Sequence, residues 1–229
     1  MISYYSYLTP IGTVIVTADE EAVVSLQFED QRQAVRRQIR DSAREDRSGE
    51  GKKISPAEDP ESRNILTGSK ENGADCSREN SPGFLNEESG RFPGKTGHPV
   101  LAAAAEWLEL YFSGKEPDFL PPLRPEGTAF QKCVWGILLE IPYGETKTYG
   151  EIARQAAERE GRERMSAQAA GQAAGRNPIA LMIPCHRVVG AGGRLTGYAA
   201  GVERKAWLLD LERKGKEKKA VLSSGGAER

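Results

Sequence analysis

Three short runs of β-forming residues open the chain. Tyr4-Tyr5-Ser6-Tyr7 is aromatic, Thr13-Val14-Ile15-Val16-Thr17 is β-branched, and Val23 to Phe28 is a third run. Thr9-Pro10-Ile11-Gly12 and Asp19-Glu20-Glu21 supply turns between them, so the pattern predicts a three-stranded meander over residues 2–28. Such a sheet needs a helix over one face. The cover is predicted from Val100 to Phe112, where Leu101, Ala104, Ala105, Leu108 and Phe112 recur at helical spacing before Ser113-Gly114.

A second module follows a Pro-rich linker at 118–125. Thr128 is placed to cap a helix carrying Phe130, Val134, Trp135, Ile137 and Leu138, stopped by Pro142-Tyr143-Gly144. Thr148 is placed to cap the next, from Tyr149 to about Ala157. Beyond a polar loop at 158–164, Ser166 to Gly175 reads as a helix of very small residues, ended by Arg176-Asn177-Pro178. Two short helices joined by a loop suit a helix-turn-helix. Ile179 to Ile183 is a buried apolar run, Gly192-Gly193 a turn, and Val202 to Leu211 a last helix. The expected fold is α+β: a small N-terminal β-meander domain with a covering helix (1–120), then a mainly α-helical C-terminal domain (127–212) with a helix-turn-helix and an active-site loop. A flexible basic tail is expected over 213–229.

The periodicity vanishes between about 31 and 97. That stretch is dense in charges of both signs and in Ser, Gly, Asn and Pro, with few large apolar residues. It cannot bury enough surface to offset its ordering entropy, so most of it is expected to be a disordered insertion, apart from a helical start at Gln31 to Arg40. The 38% hydrophobic content of the whole chain fits a segment that adds nothing to a core.

A net charge of −1 gives no global basic field, so any nucleic-acid site must rest on a local patch. Cys76, Cys133 and Cys185 are far apart and form neither a disulfide framework nor a zinc-binding pair. No metal or cofactor is expected. With no signal-like start and no long apolar run, the protein is expected to be soluble and cytoplasmic, without a membrane partner.

Cys185-His186 is the sharpest chemical feature. A cysteine attacks as its thiolate and needs a base or a positive environment. His186 is one of two histidines, and the other, His98, borders the insertion. Pro184 fixes the backbone before the cysteine and a Gly-rich loop follows, as for a nucleophile displayed at the edge of a pocket. A buried structural cysteine beside a surface histidine is the plain alternative. Cys133 sits inside an amphipathic helix and reads as core. The small-residue helix 166–175 also has two readings: close packing against a neighbouring helix, or insertion into a DNA groove.

Ile183-Pro184-Cys185-His186-Arg187-Val188-Val189-Gly190 resembles the active-site signature of the methylated-DNA–protein-cysteine methyltransferases, the 6-O-alkylguanine-DNA alkyltransferases. Val134-Trp135, Ile141 to Thr146, Tyr149-Gly150, Asn177-Pro178, Leu195 to Tyr198 and Lys205 to Leu209 follow in family order. The resemblance is strong over 127–212 and weak over the meander and its helix. It implies repair by single-turnover transfer of the alkyl group from 6-O-alkylguanine, and from 4-O-alkylthymine, in double-stranded DNA to the protein's own cysteine. Cys185 is then the acceptor, His186 its base through a water, and Glu212 the residue that orients His186. Asn177 braces the active-site turn and Tyr149 helps to turn out the nucleotide. Tyr198 and Ala199 wall the pocket, and the recognition helix brings Gln168, Ala169, Ala170 and Gly171 to the DNA. Gln168 stands where the family often has an arginine that fills the gap left by the flipped base.

Between Gly127 and Glu212 there are 11 Lys and Arg against 9 Asp and Glu, a small positive excess. Arg176, Arg194 and Lys147 are the expected phosphate contacts, and the protein is expected to act as a monomer. Two other readings of the residues stand beside transfer: a cysteine hydrolase using Cys185, His186 and Glu212, and a helix-turn-helix regulator of transcription.

Overall fold

The computed structural model describes residues 2–31 and 97–224. Strands β1 (Ser3–Thr9), β2 (Gly12–Ala18) and β3 (Val23–Phe28) form an antiparallel meander in the order β1-β2-β3. Strand β2 alternates in burial, with Val14, Val16 and Ala18 inward, as its β-branched pattern requires. Helix α1 (Pro99–Phe112) covers the inner face through Leu101, Ala104 and Leu108. His98 caps it, its Nδ1 accepting from the Leu101 amide, and Pro99 occupies the first turn, where no amide donor is needed. The expected insertion and the helix at 31–40 lie outside the described residues, except at their margins.

Helices α2 (Ala129–Leu139) and α3 (Tyr149–Arg159) both begin in capping boxes, Thr128 with Gln131 and Thr148 with Glu151. Helix α4 (Ala167–Gly175) is capped by Ser166. The three pack on one another, and the Trp135 indole on α2 donates to the Ala173 carbonyl on α4 at 2.9 Å. One hydrophobic core runs from the sheet through α1 and into these helices.

Two backbone ladders carry the chain to the candidate site. Strand β4 (Lys147–Thr148) pairs in parallel with β5 (Val188–Val189), which fixes the start of α3 beside the turn at Cys185–Arg187. The free edge of β3 is covered as well. The Leu26 amide donates to the Pro178 carbonyl and the Leu26 carbonyl accepts from Ala180. The apolar run 179–183 is thus a buried turn hung on the sheet, not a strand. Leu181 sits in it at φ 69°, a costly conformation for a branched side chain, held by the surrounding hydrogen bonds.

The last helix departs from expectation. Helix α5 spans Val202–Ser224, so residues 213–224 continue a helix rather than forming a flexible tail. Polar contacts hold the extension: Lys216 pairs with Glu145, Lys219 with Glu116, and Arg213 with Asp210 and Glu217. No helix among the described residues is long and apolar enough to cross a membrane.

Glycine makes one of these contacts possible. A Cβ on Gly215 would lie 2.3 Å from the Gly114 carbonyl oxygen, a backbone atom that cannot swing aside. Gly136, inside α2, has only an arginine side-chain nitrogen at 3.7 Å. Gly136→Ala is therefore expected to stabilise the protein by up to about 1 kcal/mol, the helical preference of alanine. Gly215→Ala is expected to destabilise it by about 1–3 kcal/mol through overpacking. Thermal unfolding of both variants checks the opposite signs.

Candidate active site

Cys185 lies at the start of a short 3-10 turn and lines a cleft of about 280 Å³. Tyr149, Asn177, Tyr198 and Ala199 line the same cleft, as do Gly171 and Arg176 at the α4 side. The predicted residues from α3, α4 and two loops therefore converge. Asn177 laces the turn together. Its amide nitrogen donates to the Ile183 carbonyl at 2.7 Å and lies 3.2 Å from Cys185 Sγ, while its oxygen accepts from the Ile179 amide. The Tyr149 hydroxyl donates to the Gly197 carbonyl at 3.3 Å, and its ring edge is 3.4 Å from where a Cβ on Gly171 would sit, an ordinary packing distance.

Behind the cysteine is a fully buried polar cluster. His186 Nε2 is 2.8 Å from Glu212 Oε1. An ionised carboxylate only accepts, so Nε2 carries the ring proton and Nδ1 keeps its lone pair. Nδ1 is buried and meets no protein partner.

The chain is similar to known proteins in sequence and in fold. Residues 129–214 match the family model described as 6-O-methylguanine DNA methyltransferase, DNA binding domain. A methylated-DNA–protein-cysteine methyltransferase of Methanosarcina acetivorans is 55% identical over 109 residues, which is 48% of this chain and 67% of that protein. The Mycobacterium tuberculosis protein of the same name is 49% identical over 114 residues, 50% of this chain and 66% of its own. The crystal structure of the Mycobacterium tuberculosis O6-methylguanine methyltransferase superposes with a TM-score of 0.56 at 30% identity, covering 93% of this chain and 94% of its own. A structure of OGT from that organism in complex with DNA superposes at 0.58, with 29% identity and 93% of each chain covered.

The chain belongs to the methylated-DNA–protein-cysteine methyltransferase family. With membership come the α+β architecture, the enzyme class and DNA as partner.

Within this methyltransferase the residues expected on the recognition helix divide between two environments. Ala170 is fully buried with Ala173 and Ala174, so it packs on the neighbouring helices and cannot meet DNA, a correction to the sequence reading. The i, i+3, i+4 spacing of these alanines makes one face of α4 a close-packing face. Gln168 is exposed and Ala169 and Gly171 are half-buried on the remaining surface. The close-packing reading of the small-residue helix thus holds for the face of Ala170, Ala173 and Ala174, and the other face is left open to solvent. Arg176 and Arg194 are exposed, and Lys147 is half-buried with its ammonium on Gln155.

Three buried polar residues escaped the sequence reading. Arg187 grips Glu212 with Nε at 2.9 Å and Nη2 at 3.0 Å, and donates Nη1 to the Ile141 carbonyl. Tyr111 of α1 donates to Glu212 Oε1 at 2.7 Å. Lys205, with no exposed surface, donates to the Val188 and Thr196 carbonyls and so ties α5 to strand β5 and to the loop that follows it. Arg187 and Lys205 stood inside recognisable motifs, and their charge at apolar-flanked positions was the available signal.

Burial sets the protonation of the site. It pushes the Cys185 thiol up, against the Asn177 hydrogen bond and the Lys205 charge, so the resting group is a thiol that needs a base. Burial likewise lowers His186, against the pull of Glu212, and leaves the ring a neutral acceptor. For Glu212 burial alone would raise the carboxyl, but the facing His186 and Arg187 outweigh it and hold it at about 2.

A carboxyl depressed in the folded state contributes stability that is complete above its ordinary value near 4.5 and is lost as the pH falls toward 2. Glu212→Gln should remove this dependence and leave Arg187 buried without its counter-charge, at a cost of about 3–5 kcal/mol at neutral pH. Urea unfolding of both proteins from pH 7 to pH 2 should therefore give curves that converge on the acid side. Parallel curves would contradict the assignment.

Proposed function

We propose that the protein repairs 6-O-alkylguanine, and 4-O-alkylthymine, in double-stranded DNA by direct single-turnover transfer of the alkyl group to Cys185. The observation that carries this reading is the placement of a thiol in a cleft, braced by Asn177, beside a neutral histidine whose other nitrogen is pinned by a buried carboxylate.

The alkyl carbon lies inside the base stack, so the nucleotide must be extruded into the cleft. Tyr149, packed against Gly171 at the α3–α4 junction, supports the backbone rotation, and Tyr198 and Ala199 receive the base. Gln168 enters the space left behind, while Ala169 and Gly171 let the helix approach the sugar-phosphate chain. Arg176, Arg194 and Lys147 meet phosphates. His186 Nδ1 takes the thiol proton through a bridging water, and Glu212 stabilises the imidazolium that forms. Cys185 Sγ then attacks the alkyl carbon. The S–C bond forms as the C–O6 bond breaks, and the electron pair leaves with the guanine. Tyr149, kept protonated by burial, can donate to that anion and recover its proton from His186. The products are unmodified guanine and a thioether. The thioether has no good leaving group, so each molecule reacts once. The thiol with its His186, Glu212 and Tyr149 neighbours supplies the chemistry, so the reading calls for no metal or cofactor and for no second copy of the chain.

Intact mass after mixing with a duplex carrying 6-O-methylguanine tests the reading. One permanent methyl adduct, mapped to the Cys185 peptide, is expected. Cys185→Ala should lose it entirely while binding DNA as before. An unmodified protein with released product would indicate a hydrolase, and binding without chemistry would indicate a regulator.

Gln168→Arg tests the placement of α4. One added cation beside the backbone should tighten DNA binding and steepen the slope of log affinity against log salt by somewhat less than about one unit. Both proteins are titrated with Cys185→Ser to prevent reaction. Equal slopes and affinities would mean that position 168 does not face the DNA.

A further inference from the structure

Tyr111 belongs to the helix that covers the N-terminal sheet, yet its hydroxyl ends in the polar cluster behind Cys185. The ring is wholly buried, stacked on Trp107 at 5.1 Å between centroids and edge-on to Phe112, Tyr143 and His186. Its hydroxyl donates to Glu212 Oε1 at 2.7 Å and lies 3.2 Å from His186 Nε2.

Glu212 is saturated by its neighbours. Oε1 meets Tyr111, His186 Nε2 and Arg187 Nη2, and Oε2 meets Arg187 Nε and the Gly144 amide. A carboxylate offers about four lone-pair directions, so donors on one oxygen share its charge. Tyr111 alone among them comes from the N-terminal half of the chain.

We propose that Tyr111 is a positioning residue of the acceptor site: its hydroxyl fixes the Glu212 carboxylate and, through it, the His186 ring with Nδ1 turned to the work of deprotonating Cys185. The assignment rests on the reading of Cys185 as acceptor and His186 as its base.

Two effects follow from the one hydrogen bond. It denies the carboxylate a rotation that would carry the ring with it. It also draws charge from the oxygen that faces Nε2, which makes the imidazolium less favourable and keeps His186 a free base. The groups facing His186 are Glu212 and Lys205 from α5, Tyr111 from α1, Arg187 and Cys185 from its own turn, and Tyr198 from the loop before α5. Glu212 favours the protonated ring, whereas burial, Arg187 and Lys205 oppose it. Tyr111 stays a neutral donor throughout the working range, because burial and the Glu212 charge push its hydroxyl far up.

Tyr111→Phe keeps the ring and its stacking and deletes only the donor. Glu212 then spends more of its charge on Nε2, and His186 protonates more readily. The transfer rate constant on a 6-O-methylguanine duplex should fall on the order of tenfold at its plateau. Its acid limb should move upward by about half to one pH unit. DNA affinity, measured with Cys185→Ser in both backgrounds, should not change. A purely structural tyrosine would lower the melting temperature and leave the acid limb in place, and that result overturns the proposal. If Tyr111→Phe does not fold, Trp107→Phe loosens the ring under the same hydroxyl. A smaller upward move of the limb then supports the role, and superimposable profiles refute it. A double-mutant cycle with Glu212→Gln gives an independent check. Once the carboxylate is gone, Tyr111→Phe should cost less than about twofold more, whereas multiplicative losses would show that Tyr111 does not act through Glu212. Failure of the wild-type protein to become alkylated at Cys185 would sink the reading of the site itself, whatever Tyr111 does.

Discussion

The carboxylate of Glu212 is the contact on which the proposed acceptor site depends. Taking a charge out of water is costly, and the interior repays it only when every lone pair is met. Here the donors are a tyrosine from α1, a histidine and an arginine from the acceptor turn, and a backbone amide at Gly144. The same satisfaction that makes the charge tolerable orders the machinery. The carboxylate dictates which histidine nitrogen holds the proton, the arginine fixes the turn that carries the cysteine, and Gly144, at φ 72°, brings the 142–145 loop close enough to donate.

The backbone supports the same arrangement from the other side. The run 178–180 is hydrogen-bonded to Leu26, and Asn177 holds both ends of the turn that follows. Cys185 is therefore presented by a turn pinned to a sheet edge, to a parallel ladder at Val188–Val189 and to a buried lysine. Such over-determination lets Leu181 keep its left-handed conformation. It also places the Cys185 thiol, the proposed nucleophile, without reliance on exposed side chains.

Much of this was legible in the sequence, and what was not has a common physical cause. Alternation and turn residues located the three strands of the meander, the caps at Thr128 and Thr148 located two helices, and the run of small residues after Ser166 located a third, because these signals are local. Periodicity marked the face of α1 that includes Leu108 but could not say that the nearby Tyr111 ends in a polar cluster, since its partner lies 101 residues away. Arg187 and Lys205 stood in the quoted motifs without a role, because arginine and lysine are rarely buried and nothing local marks the exceptions. Ala170 could not be told from Ala169 in a helix small on every face. The end of α5 was placed too early because its extension is held by ion pairs to Glu145 and Glu116, which leave no apolar pattern.

The reach of Tyr111 bears on how the molecule folds. Its contacts to His186 and Glu212 close loops of 75 and 101 residues. Contacts so distant along the chain must offset their closure entropy before they stabilise anything, which favours their forming after the local elements. A fragment made of the signature-bearing helices alone would hold the thiol, the histidine and the carboxylate, yet lack one of the donors that make the buried charge bearable. On the proposed reading, competence at Cys185 is thus a property of the completed tertiary structure, and a partly folded chain would have the thiol without the means to activate it.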